Sequence, residues 1–317
     1  MQIWYHETSA VNFYEGQEGF GTVATRNLQL EKNRDWRISP VTLWEILLTT
    51  EAERRKTLID FCQHLFSREL LPAPDELIVG FIEAGMPREE PRRDLTSASS
   101  LAKAWSEIVD DKSRTLIYPE ELIRSKGNAL KEVTKEIFRV VKDEDVVLSP
   151  DLFHAKIDMS ISQLVKEAER TMALYSLGEE TVFRKVALFY CLLLLCAEVD
   201  FDNQATKEFW ERLGIQSTQS RVEYVISNLP MLIVRGPFVM MAYMTMCQRQ
   251  PKYSRGLWFD ALHAIYLSYV EVLFSNDEHF QNLRDRINEK RLSQKIQVLS
   301  EVELVTVEKD WLGLPTD

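Results

Sequence analysis

Short apolar runs alternate with amphipathic segments at both ends of the chain, whereas the middle has only helical periodicity. The short runs predict strands at 3–5, 36–38, 270–274, 296–299 and 302–307. From about residue 101 to residue 229 the apolar positions recur every three to four residues, which is typical of helices. Alternating strands and helices favour a parallel sheet with helices on both faces. We therefore predict an α/β domain built from the two ends of the chain.

The helix predictions rest on apolar spacing and on starting signals. The strongest signal is Ser39-Pro40, because Ser caps helices and Pro is favoured at the first helical position. The predicted helices are 11–15, 22–31, 40–66 with a break at 51–56, 75–83, 101–109, 119–142, 160–175, 178–198, 204–213, 219–228, 238–247, a late helix from 258 with its apolar run at 261–270, and 278–289.

Two segments rich in proline and polar residues divide the chain, at 86–100 and at 228–237. A chain of 317 residues is also long for one domain. We predict a discontinuous α/β domain over 1–95 and 235–317, with a mainly α-helical insertion over 96–234.

The composition is that of an ordinary globular protein, with 45% hydrophobic and 27% charged residues. The amino terminus lacks a basic leader followed by an apolar stretch, and the most apolar run, 186–197, is too short to span a bilayer. The four cysteines have no paired spacing. These features predict a cytoplasmic protein that does not enter a membrane.

The formal charge of −11 and the pI near 5.2 argue against broad electrostatic binding of nucleic acid and suit a basic protein partner. A local cationic surface remains compatible with that charge. Arg249, Lys252 and Arg255 surround Tyr253 in a predicted loop, where they are candidates for contact with a nucleic-acid backbone. A solvated loop is the alternative.

Four carboxylates stand within or directly beside apolar segments: Glu7, Glu45, Asp260 and Asp277. A lone carboxylate in such a setting has a desolvation cost of several kcal/mol and needs a partner. No cationic residue adjoins any of them in sequence. A shared divalent metal ion would supply the positive charge.

Three of the acids also have a structural explanation, whereas Glu45 is hard to explain structurally within its apolar helix. Thr8 and Ser9 could cap the helix after Glu7 without the glutamate. Asp260 could cap the helix that it is predicted to begin, and Asp277 could be a turn residue. Ser275 and Asn276 could support a site by hydrogen bonding or could simply form that turn. The neighbouring histidines, His6 and His279, fit structural or solvated roles better than catalytic ones.

Carboxylates at the carboxyl ends of parallel strands converge on the crevice where open α/β sheets bind ligands. Ionised carboxylates gathered there repel, and a hard cation such as Mg²⁺ or Mn²⁺ relieves that repulsion. A set of carboxylates without His or Cys companions points toward phosphodiester or phosphoryl chemistry.

At these acids the sequence resembles the PIN-domain family of metal-dependent nucleases, which includes many toxins of toxin–antitoxin pairs. The resemblance rests on Glu7-Thr8-Ser9-Ala10, on 38–45, on Asp260-Ala261 and on Ser275-Asn276-Asp277 followed by Phe280. Positions 7 and 45 are 38 apart, and positions 260 and 277 are 17 apart.

The resemblance implies a PIN-like parallel-sheet sandwich and an endoribonuclease. Glu7, Glu45, Asp260 and Asp277 would hold Mg²⁺ or Mn²⁺, and a metal-bound water would attack the phosphodiester. RNA is the implied substrate, with single-stranded DNA as a second candidate. An antitoxin-like basic protein and a second copy of the chain are the candidate protein partners.

Two alternatives stay open. The family usually has Asp where this chain has Glu7, and its second and third acids are usually much closer in sequence. A PIN-like protein-interaction module that has lost catalysis and works through its helical insertion is therefore the main alternative. A purely helical scaffold with scattered acids, which would lack a parallel sheet, is the other.

Overall fold

The computed structural model of the protein describes residues 2–16, 34–67, 69–84, 97–111, 132–142, 163, 181–196, 204–232, 237–247, 256–286 and 293–299. Most of these residues are helical, and the strands among them form one small parallel sheet. The architecture is compatible with the predicted α/β class.

In chain order the elements are β1 (Gln2–His6), α1 (Thr8–Glu15), β2 (Arg34–Arg37), α2 (Pro40–Leu47), α3 (Ala52–Leu65), α4 (Pro74–Glu83), α5 (Ser100–Asp110), α6 (132–142), α7 (Thr181–Cys196), α8 (Gln204–Leu213), α9 (Thr218–Leu232), α10 (Pro237–Cys247), α11 (Gly256–Ile265), a 3₁₀ turn (Tyr266–Ser268), β3 (Val272–Ser275), α12 (Glu278–Arg286) and β4 (Ile296–Val298).

The sheet has four strands in the order β2-β1-β3-β4, and every neighbouring pair is parallel. β1 lies between β2 and β3, with Trp4 opposite Trp36 on one side and opposite Val272 on the other. The parallel sheet predicted from the alternating ends of the chain is therefore confirmed, and the purely helical scaffold is wrong.

The two faces of β1 pack differently because successive side chains of a strand point to opposite faces. Trp4 and His6 share one face, where Trp4 stacks on Trp36 with ring centroids 6.1 Å apart. Tyr5 faces the other way, and its hydroxyl lies 3.0 Å from Ser39 Oγ at the start of α2. Both faces are buried, which is typical of a strand in a parallel sheet.

Several predicted boundaries were wrong. α1 begins at Thr8, three residues before the predicted start, because Glu7 caps it. α9 continues through the predicted boundary at Asn228 to Leu232, with Pro230 inside its last turn. A proline near the end of a helix removes one hydrogen bond without having to end the helix.

The predicted start of the late helix was also wrong. α11 begins at Gly256 and places Asp260 in its second turn, so Asp260 does not cap this helix. The apolar pattern is continuous from Leu257 to Leu267, and nothing in that pattern marks a start at Asp260. Other predicted elements lie outside the described residues: the helix 22–31, the helix 160–175 apart from residue 163, and the strand 302–307.

The chain divides into two compact units, and each mixes early and late segments. The first comprises Met1–Ala73, Arg93–Ile123 and Tyr269–Asp317 and contains the sheet. The second comprises Pro74–Arg92 and Arg124–Ser268. The domain limits 1–95, 96–234 and 235–317 stay a prediction.

The described residues of the second unit form helices and the turns between them, with no strand among them. The apolar helix α7 packs against α9 and α10, α10 packs against α11, and α8 packs against α4. Between α7 and α10 the Tyr190 hydroxyl lies 2.6 Å from Thr245 Oγ1, in a buried contact. None of the described helices has the length and apolar character needed to cross a membrane.

Candidate metal centre

The strand order creates a crevice at the carboxyl ends of β1 and β3. From β1 the chain proceeds to β2 on one side, and from β3 it proceeds to β4 on the other. Such a reversal is where open parallel sheets bind ligands, because the outgoing connections diverge and leave a space between them. Glu7 directly follows β1, and Ser275-Asn276-Asp277 ends β3 and leads into α12. Two of the four predicted acids thus follow the two strands that flank the crevice.

Glu7 is the N-cap of α1. Its carboxylate accepts hydrogen bonds from the backbone N–H groups of Ser9 at 2.7 Å and Ala10 at 3.1 Å, and also from the Ser9 hydroxyl. The negative charge also faces the positive end of the helix dipole. The side chain is only 3% exposed, so these donors supply much of what water would otherwise provide. The predicted burial of Glu7 is confirmed, and its structural role is explained.

The Ser9 hydroxyl joins Glu7 to the segment that follows β3. Its oxygen accepts a 2.7 Å hydrogen bond from the backbone N–H of Asn276 and lies 3.4 Å from Ser275 Oγ. Ser275 Oγ accepts from the backbone N–H of Asp277 at 3.0 Å. The two residues predicted to support the site, Ser275 and Asn276, therefore both lie in the network that connects Glu7 to Asp277.

Asp277 caps α12 in the same way that Glu7 caps α1. Its Oδ1 accepts from the backbone N–H of His279 at 2.7 Å and lies 3.3 Å from His279 Nδ1. The side chain is 35% exposed, so its desolvation is far smaller than the sequence suggested. Both the turn explanation and a ligand role are compatible with this position.

Glu45 lies on α2 and is half-buried rather than fully enclosed. α2 buries its other apolar positions, but residues 44 and 45 lie on its less covered side. Burial raises the pKa of the Tyr5 phenol well above its usual range, the hydrogen bonds with Ser39 and Thr42 lower it, and the charges of Glu7 and Glu45 raise it further. Glu7 and Glu45 thus act electrostatically on the same buried phenol at the end of β1.

Asp260 is buried within α11, with only 8% of its surface exposed. Burial raises the pKa of the Tyr190 phenol above its usual range, the hydrogen bond with Thr245 lowers it, and the charge of Asp260 raises it further. Since Asp260 lies inside a helix, capping cannot account for a buried carboxylate at this position.

Asp277 and His279 are two potential metal ligands at the start of α12, where Asp277 Oδ1 lies 3.3 Å from His279 Nδ1. Carboxylate oxygens suit a divalent cation such as Mg²⁺ or Mn²⁺. The predicted roles of Glu7, Glu45 and Asp260 as ligands stay predictions.

His6 has a structural role in the core. Its ring is stacked between Trp36 and Phe274, with centroids 4.7 Å away on each side, and it also contacts Phe66 and Tyr14. Burial lowers the pKa of His6 well below its usual range, so the ring is neutral. Within the described part of the chain neither ring nitrogen has a hydrogen-bond partner.

Two residues of this centre are not evident from the sequence. The sequence marks Ser9 only as a helix cap, although its position two residues after a strand-ending acid places it at the crevice. The sequence marks His279 only as a flanking residue, although its spacing of two from Asp277, across a helix start, brings its ring to the carboxylate. The candidate nucleic-acid contacts Arg249, Lys252 and Arg255 lie outside the described residues.

Comparisons of the chain with known protein families, with curated proteins and with solved structures find no match.

Proposed function

We propose that this protein is a metal-dependent endoribonuclease of PIN-like fold, with Mg²⁺ or Mn²⁺ held at the carboxyl ends of β1 and β3. Asp260, Asp277 and His279 would be the principal ligands. Glu7 and Glu45 would complete the negative charge around the ion.

The observation that supports this proposal most strongly is the hydrogen-bonded connection between Glu7 and Asp277 across the crevice. At the ends of two adjacent parallel strands, the Ser9 and Ser275 hydroxyls join the Glu7 carboxylate to the backbone N–H of Asp277. Holding two acids in a fixed relation to each other is what a cation site requires.

The roles proposed for these residues follow from their positions. Glu7 and Asp277 are fixed by their own helices, so their carboxylates lose little freedom on binding an ion. The half-exposed Asp277 and His279 face solvent, from which a phosphodiester would enter. When bound, the cation would polarise a phosphoryl oxygen and lower the pKa of an attacking water.

A cleavage assay tests this proposal. Single-stranded RNA and DNA of the same sequence are incubated with the protein in Mn²⁺, in Mg²⁺ and in a chelator. We expect RNA to be cut only with a divalent ion, and Asp260→Asn and Asp277→Asn each to lower the rate by more than about 100-fold, beyond the 10- to 100-fold effect of an outer-shell change. Asn retains the capping oxygen at position 277, so the loss would not reflect a missing cap.

The matched control is Glu278→Gln, which removes one charge from an exposed position at the same helix start. It should cut RNA at the wild-type rate. Full activity in both aspartate variants, or undiminished cleavage in chelator, would overturn the assignment.

One observation favours the alternative of an inactive PIN-like interaction module. Glu7 already accepts three hydrogen bonds from residues of the first turn of α1. A carboxylate has about four lone-pair sites, so little capacity is left for a metal. Under this alternative the protein binds Mn²⁺ weakly or not at all and cuts neither nucleic acid.

The proposed setting follows from the chemistry. The four cysteines are buried free thiols, which suits a reducing cytoplasm. The net charge of −11 suits a basic protein partner such as an antitoxin, and a homodimer is a further candidate assembly.

A further inference from the structure

The Ser9 hydroxyl has every hydrogen-bonding position occupied. A serine hydroxyl offers one proton and two acceptor lone pairs. Its proton goes to Glu7, because an ionised carboxylate can only accept. Its lone pairs face the backbone N–H of Asn276 at 2.7 Å and Ser275 Oγ at 3.4 Å.

These bonds therefore run in one direction. The backbone N–H of Asp277 donates to Ser275 Oγ, the Ser275 hydroxyl points toward Ser9, and Ser9 donates to Glu7. Bonds aligned in this way polarise one another, and a chain that ends on a charge is stronger than its separate members. The chain begins at the backbone of one proposed ligand and ends on the carboxylate of another.

We propose that Ser9 is a positioning residue that holds Glu7 and the 275–277 segment in register for the cation. It acts through those residues and is not itself a ligand. This inference rests on the proposed function, because a fixed arrangement of these residues matters only if a cation binds to them.

The neighbouring Thr8 provides a matched control. Thr8 is buried in the same turn of α1, but within the described residues its hydroxyl has no hydrogen-bond partner. Thr8→Val removes that hydroxyl and keeps the shape, whereas Ser9→Ala removes the one that bridges the two strands. Ser9→Thr keeps a hydroxyl at position 9.

Ser9→Ala should fold as the wild type does. Glu7 caps α1 through the backbone N–H groups of residues 9 and 10, which alanine also offers. Alanine is also favourable within a helix. A loss of metal affinity in this variant would therefore not reflect a lost helix start.

The test combines calorimetric Mn²⁺ titration with hydrogen exchange at the Asn276 amide. We expect Ser9→Ala to raise the Mn²⁺ dissociation constant by about 10- to 100-fold, as for other outer-shell residues. Exchange at Asn276 should quicken in the same variant, because its acceptor is gone. Ser9→Thr should restore both values, and Thr8→Val should match the wild type.

The two proposals fail in distinguishable ways. If the wild type binds Mn²⁺ and Ser9→Ala binds it equally well, the positioning role is wrong and the metal site stands. The positioning role is also wrong if Thr8→Val weakens binding as much as Ser9→Ala does. If the wild type does not bind Mn²⁺, the metal site and the positioning role fall together.

Discussion

Glu7 is a buried carboxylate that caps a helix and is also a proposed metal ligand. A carboxylate buried after a strand called for a positive partner, and the structure supplies backbone N–H groups at a helix start instead. That arrangement lowers the desolvation cost without a metal ion. The proposed ligand role therefore depends on the carboxylate lone pairs that these hydrogen bonds leave unused.

The capping role predicts a measurable loss of stability. Glu7→Ala should lower the free energy of unfolding by about 0.5–2 kcal/mol, the usual effect of losing an N-cap side chain. Glu7→Gln keeps one carbonyl oxygen as acceptor and should lose less. Urea denaturation of both variants gives the comparison, and an Ala variant as stable as the wild type would contradict the cap.

His6 predicts a specific dependence of stability on pH. Because burial lowers its folded-state pKa, the unfolded chain takes up a proton more readily than the native protein does. The contribution of neutral His6 to the free energy of unfolding should therefore be complete above about pH 6.5, the ordinary His pKa. Below that pH the free energy of unfolding should fall, by at most about 1.4 kcal/mol per pH unit.

The comparison uses urea denaturation at pH 7.5 and 5.5. His6→Phe should lose this dependence, since Phe keeps an aromatic ring between Trp36 and Phe274. The control His64→Gln changes an exposed histidine on α3 and should keep the wild-type dependence. Equal dependence in wild type and His6→Phe would show that His6 does not titrate on unfolding.

At the scale of elements, the sequence predicted which helices and strands exist better than it predicted the residues at which they begin and end. Strand β1 and helix α8 were evident from periodicity, and the Ser39-Pro40 start of α2 was confirmed to the residue. The starts of α1 and α11 were not. The first depends on a glutamate acting as a cap, which is uncommon, and the second lies before an unbroken apolar run.

Helices α7 and α10 share a buried polar contact whose removal is predictable. Thr245 also donates to its own helix at the carbonyl oxygen of Met241, 3.0 Å away. Tyr190→Phe should therefore cost about 0.5–1.5 kcal/mol, the net value of a hydrogen bond. Thr245→Val should cost more, about 1–3 kcal/mol, because it leaves a buried phenol unpaired.

Denaturation midpoints of the two single variants and of the double variant measure this difference. The two residues interact, so their effects should not add. Additive effects, or a Phe variant less stable than the Val variant, would contradict the inferred pairing.

At the scale of the whole molecule, the alternation at the two ends of the chain was enough to predict a parallel sheet. The sequence could not predict the strand order, because pairing between β1 and β3 joins residues more than 260 positions apart. That order is what brings Glu7 close to the end of β3. The same limit explains why Ser9 and His279 were missed, since their importance arises from contacts or turns that periodicity does not encode.

Binding of a divalent cation is the premise shared by the nuclease proposal and the role of Ser9. The most direct test is calorimetric titration of Mn²⁺ into the wild type, Asp277→Asn and Glu278→Gln. We predict saturable binding by the wild type and by Glu278→Gln, and weak or no binding by Asp277→Asn. No saturable binding by the wild type, or equal binding by all three proteins, would contradict the account.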